Sequence, residues 1–151
     1  MLWATRRKIR ISRAATAWFI HRFVDPAAVF FFGSDQEVVA REKDGAIGFF
    51  CPGTRYAKGP KGTPTPLEVL VAEHCPGDAA LSHLAQIVRD ADGPAGQERC
   101  AEAAGLRAIT VAFPDICDDD QEIVVKSAFL YDALYATLTK IIPAEAVRPA
   151  E

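Results

Sequence analysis

The sequence lacks most of the signatures that would assign it a chemistry outright. It contains no G-x-S-x-G elbow, no H-E-x-x-H pair, no Walker loop and no Rossmann glycine fingerprint. Motif-based readings as an α/β hydrolase, a zincin, a P-loop NTPase or a dinucleotide-binding domain are thereby excluded. Cys51, Cys75, Cys100 and Cys117 form no C-x-x-C pair, so neither a zinc ribbon nor a thioredoxin-type redox motif is supported. A chain this long can build a core without staples, so the four are read as free, mostly buried thiols in a reducing cytoplasm. None of His21, His74 and His83 shares a helical face with a second ligand at i,i+4, and no metal is expected. No apolar run approaches the ~18 residues that a membrane helix needs. The apolar segment Ala14–Ile20 behind the basic N-terminus ends at His21 and Arg22 with no A-x-A site, so no export signal is read.

What is present is enough apolar residue for one core and a lopsided charge distribution. Half of the 151 residues are hydrophobic, which excludes general disorder and suits a single domain over 1–143 with a tail at 144–151. The net charge of −3 is a sum of opposites. Arg6, Arg7, Lys8, Arg10, Arg13 and Arg22 all precede the first acidic residue, Asp25, whereas Asp115, Asp118, Asp119, Asp120 and Glu122 cluster near the other end. The acidic cluster opens a helix, where the macrodipole favours negative charge, and reads as cap and solvated first turn. The basic stretch can meet phosphates, but an acidic whole without a base-reading helix argues against nucleic acid as a partner.

Local signals divide the chain into an α+β domain, helix-dominated, with two or three short strands in its N-terminal half. Leu2–Thr5, Val29–Phe32 and Ala46–Phe50 read as strands. Ser12 is placed as the cap of a helix running to about Phe23, ended by Asp25-Pro26. Ser34 with Glu37 forms a capping box over Asp35–Lys43, and Thr65-Pro66-Leu67-Glu68 starts a helix that stops at Pro76-Gly77. Asp78 caps the next helix, and Glu98–Phe113 reads as another, closed by Pro114. The longest helix follows Asp118–Asp120, with Ile123, Leu130, Leu134, Leu138 and Ile141 expected on its buried face and Tyr131 and Tyr135 at its edge.

Candidate functional residues are the arginines and the carboxylates spaced to meet them. A guanidinium is a planar fork suited to tetrahedral oxyanions, which makes Arg13, Arg22 and Arg89 candidates to line an anion pocket. Trp18 stands one turn before Arg22 on the same face, where its ring can stack on the guanidinium. The competing role for these arginines is to knit elements together by pairing with Asp25, Glu68 and Asp92. The loop holding Lys58, Gly59, Lys61 and Gly62 lacks Walker spacing, yet it precedes a helix N-terminus and can hold an anion through backbone N–H groups.

Three stretches resemble the C-terminal domain of the chromate resistance protein ChrB. They are Ile11-Ser12-Arg13 through Trp18-Phe-Ile-His-Arg22-Phe-Val-Asp25-Pro26, Ile87-Val88-Arg89-Asp-Ala-Asp92 followed by Glu102-Ala-Ala-Gly105, and Leu130-Tyr131-Asp132-Ala-Leu-Tyr135. The resemblance covers nearly the whole chain in the same order, and implies a cytoplasmic bacterial protein of the chromate-resistance system. Members of that family tend to carry Asp and Cys where this chain has Ser12 and Thr16. Their loop reads Gly-His-x-Gly-x-x-Cys where this chain has Gly59–Thr65, and a His-Asp pair falls near Gln97-Glu98. These replacements remove thiolate and imidazole, the usual soft ligands, so no metal or thiol cofactor is assigned. Full-length members carry a further N-terminal domain that 151 residues are not expected to contain, and its DNA-binding role does not carry over.

The leading expectation is a sensor or accessory domain binding a chromate-like oxyanion, with Arg13, Arg22 and Arg89 as clamp, Trp18 as wall and Asp25, Glu68 and Asp92 completing the site. Two rivals stand beside it. One is an enzyme, with or without a hard metal, using Asp25, Glu68 and Asp92 as acid–base groups. The other is an interaction domain that homodimerises through exposed aromatics on the last helix.

Overall fold

In the computed structural model, which describes residues 1–142, a small parallel sheet is buried under helices on both faces. Strand β1 (Leu2–Arg6) lies at its centre, flanked by β2 (Val29–Gly33) and β3 (Ile47–Gly48) in the order β2-β1-β3. The register pairs Trp3 with Phe30 and Ile47. Parallel neighbours need crossovers, and helices supply them. Helix α1 (Ser12–Phe19) links β1 to β2, and α2 (Asp35–Lys43) links β2 to β3. Strand alternation then sorts the core. Trp3, Phe30 and Phe49 enter the main cluster, whereas Ala4 packs with Val38, Ala46 and Cys51 beneath α2.

Beyond the sheet come α3 (Pro66–His74), α4 (Ala79–Ala91), α5 (Ala101–Thr110), the single turn α6 (Phe113–Ile116) and α7 (Asp120–Ile141). The capping boxes at Ser34/Glu37 and Thr65/Glu68 both form, and Asp78 accepts the Leu81 N–H at 2.9 Å. The α+β, helix-dominated class is therefore what the chain adopts. The tail expected at 144–151 lies outside the described residues.

Several local expectations are corrected. Ser12 does not cap α1, because its hydroxyl donates to Asp92 at 2.8 Å across the fold. After Phe19 the same helix widens into a π turn, Ile20–Val24, closed by the Asp25 N–H on the Ile20 carbonyl at 2.7 Å. The third strand is shorter than Ala46–Phe50, since Phe49 instead bridges to Tyr56 and Phe50 turns left-handed at φ +50°. Gly48 is needed there: a Cβ would meet the Thr54 side chain at 2.5 Å. Pro114 does not close a helix but opens α6, a position where its missing N–H costs nothing. On α7 the buried side carries Ile123, Val124, Ser127, Tyr131 and Leu138, so Tyr131 is fully enclosed and Ile141 is exposed.

Candidate functional site

Three separate places receive the candidate residues. The first is the seam between α1 and α7. The Trp18 indole N–H donates to Asp132 at 2.9 Å, and Arg22, on the π turn, pairs with the same carboxylate oxygen. Trp18 and Arg22 thus share a face, as their spacing predicts, but the guanidinium lies over Phe23 and Tyr135, at 5.4 and 5.6 Å from their centroids. Tyr135 donates to Asp78 at 2.8 Å, and Tyr131 donates to the Ile11 carbonyl at 3.0 Å. Burial, then Asp78, push the Tyr135 phenol up to about 12, and burial raises Tyr131 as well.

The second place is the N-terminal edge. Asp25 accepts from the Trp3 indole at 3.1 Å and pairs with the N-terminal ammonium at 3.0 Å, and these contacts hold its carboxyl below the ordinary aspartate value. Arg13 donates to the carbonyls of Arg6 and Arg7 at 3.0 and 2.9 Å. Asp120 accepts the N–H groups of Lys8 and Ile9 at 3.1 and 2.8 Å, holding Lys8 at φ +58°. Part of the basic stretch is engaged within the chain, while Lys8 and Arg10 stay exposed: Arg7 pairs with Glu37 at 2.8 Å on the surface, and Arg6 donates to the Phe50 carbonyl at 3.1 Å.

The third place is an open cleft between α3 and α4, about 590 Å³ in volume. Glu68, Glu73, Ser82, Gln86 and Arg89 supply its polar lining, with Gly62 and Pro64 from the central loop. Arg89 Nη2 pairs with Glu68 at 2.9 Å and donates to the Thr63 carbonyl at 2.8 Å. Glu73 is held by the Tyr56 hydroxyl at 2.7 Å. One turn beyond Arg89, Asp92 takes the Ser12 hydroxyl, and Thr16 donates to the Ser12 carbonyl at 2.6 Å.

Arg13, Arg22 and Arg89 therefore do not line one cavity, and Trp18 walls none with them. Of the three carboxylates, Glu68 lines the cleft, while Asp25 and Asp92 are engaged elsewhere. Sequence reasoning missed Glu73 and Gln86. The available signal was Ser82, Gln86 and Arg89 recurring at helical spacing opposite the apolar stripe of α4.

Comparison with known proteins decides the family. The model of the ChrB C-terminal domain matches residues 3–138. The chain belongs to that family. It is also 31% identical over 134 residues to Protein ChrB of Cupriavidus metallidurans, covering 88% of this chain and 39% of that protein. No solved structure matches. In this ChrB-family domain, Ser12 and Thr16, the positions where the resemblance sets Asp and Cys, carry hydroxyls bonded within the fold. Burial pushes the Cys51, Cys75 and Cys100 thiols up, which disfavours the reactive thiolate. Among the described residues, no helix is long and apolar enough to cross a membrane, and no three His, Cys, Asp or Glu side chains stand together as a metal-ligand set.

Proposed function

We propose that this domain serves chromate resistance as a cytoplasmic binding module, taking a small chromate-like oxyanion at the mouth of the α3–α4 cleft. The observation that carries this reading is Arg89. Its side chain is 44% exposed and lines the cavity, and among the described residues its polar contacts run through Nη2. A guanidinium offers five N–H donors, so Nε and Nη1 stay available to a tetrahedral anion. Lys58 and Lys61 add exposed positive charge on the loop that bounds the cleft through Gly62 and Pro64. That loop leads directly into the N-terminus of α3, whose dipole also favours an anion.

Glu68 sets the terms of binding. It neutralises Arg89 in the empty site, so an incoming dianion competes with a carboxylate already in place. The product is modest affinity that falls with added salt. Calorimetric titration with sulfate, phosphate and chromate tests the reading, sulfate being the redox-inert shape mimic. Heat is expected from the natural protein, lost in Arg89→Ala, partly kept in Arg89→Lys and unchanged in Arg22→Ala. No heat with any of the three anions up to millimolar concentration overturns the proposal.

A further inference from the structure

The outer face of α7 carries a pattern that core packing does not use. At roughly 100° per residue, positions 122, 125, 129, 133, 136 and 140 fall within about 40° of Phe129. Val125 is 75% exposed and Phe129 is 81% exposed. Ala133, Ala136 and Lys140 are exposed as well. The buried residues Ser127, Tyr131 and Leu138 occupy the opposite side. The stripe is thus a large apolar knob followed by two small residues, with acid at its start (Asp118, Asp119, Glu122) and Lys140 at its end.

We propose that a second copy of this chain covers this face, with the two α7 helices antiparallel about a two-fold axis level with Tyr131. The stripe is self-complementary in that arrangement and not in a parallel one. Phe129 of one copy falls opposite Ala133 of the other, where the missing bulk leaves a hole for the ring. Lys140 falls level with the acidic start, where Glu122 already pairs with Lys126 of its own helix and Asp118 and Asp119 lie beside it. A parallel pair would set Phe129 against Phe129, Lys140 against Lys140 and the acidic starts against each other. A C2 contact reuses one patch twice, which is what a mirrored stripe supplies. Two helix faces of about 30 Å bury less than the ~1,200 Å² of a standard interface, so a weak, concentration-dependent dimer is expected.

Sedimentation across micromolar to millimolar concentration gives the first readout. The natural chain is expected to move from 16.4 kDa toward twice that mass, and Phe129→Glu is expected to stay monomeric with an unchanged circular dichroism spectrum. Zero-length carbodiimide coupling gives the second. Residues 122 and 140 of one helix stand about 27 Å apart, so a Lys140 link to Glu122, Asp119 or Asp118 forms between copies. Such a link on the dimer band supports the antiparallel pair. A monomer at every concentration, a dimer indifferent to Phe129→Glu, or a dimer lacking that cross-link overturns it.

Discussion

The α1–α7 seam and the α3–α4 cleft are built from the same residue types and end in opposite states. At the seam Trp18 and Arg22 meet Asp132, Tyr135 meets Asp78 and Tyr131 meets the Ile11 carbonyl, and Trp18 and Tyr131 are lost from solvent. At the cleft Arg89, Glu68 and Glu73 are also paired, but they face about 590 Å³ of open volume, where the Arg89 guanidinium keeps donors to spare. Residue chemistry alone does not separate the two. Enclosure of the rings does, since the two guanidiniums are exposed alike at 45% and 44%: a sealed indole or phenol contributes to stability, while a guanidinium at a cavity mouth stays free to exchange partners.

The largest expected effect follows from that difference. Trp18→Ala removes an indole that packs against Phe23, Tyr131 and Tyr135 with centroids 5.6 to 6.3 Å away. It is expected to cost about 3–5 kcal/mol in denaturant unfolding. Asp132→Ala leaves the buried indole N–H without its acceptor and is expected to cost about 1–3 kcal/mol. Arg89→Ala, breaking an ion pair of similar composition at the cleft, is expected to stay within about 1 kcal/mol while abolishing anion binding. Equal stability losses for Asp132→Ala and Arg89→Ala would erase the distinction between seam and cleft.

The seam also sets an alkaline limit. Tyr135 has its folded pKa raised to about 12 by burial and by Asp78, against about 10 when unfolded. A raised folded value means that its contribution is complete below pH 10 and is lost as pH climbs through about 12. Absorbance at 295 nm is therefore expected to stay flat past pH 10 in the native protein, since Tyr56 and Tyr131 are raised as well, and to rise near pH 10 in denaturant. Tyr135→Phe should remove part of the stability loss between pH 10 and 12. An ordinary titration of all three tyrosines in the folded chain would contradict the enclosure described.

Much of the fold was legible because it rests on local chemistry. The capping boxes at Ser34 and Thr65, the Asp78 cap and the Val29 strand are short-range signals, and each lies where those signals put it. What failed was long-range. Ser12 looks like a cap, yet Asp92, distant in sequence, outcompetes its own helix for the hydroxyl. Asp120 looks like part of a solvated first turn, yet it reaches across to the amides of residues 8 and 9. The candidate arginines were legible as a set, but not their distribution. Arg13, Arg22 and Arg89 have one chemistry, and only the assembled packing determines which of them meets carbonyls, a carboxylate in a seam or a cavity.

The smallest effect probes how completely the inner side of α7 is satisfied. Ser127 is 3% exposed on that side, and among the described residues its hydroxyl is the one buried side-chain oxygen or nitrogen with no hydrogen-bond partner. A buried hydroxyl without a partner carries a desolvation cost that an alanine does not, and alanine is also the better helix former. Ser127→Ala is therefore expected to stabilise the domain by about 1 kcal/mol, raising the thermal midpoint by about 2–4 °C for a chain of this size. The sign is what matters. A fall in the midpoint would mean that the hydroxyl has a partner in solution, leaving α7 with no unsatisfied polar atom on its packed side. A rise would mark Ser127 as the site where packing around Tyr131 takes precedence over hydrogen bonding, and would leave the seam's stability to its rings and to Asp132.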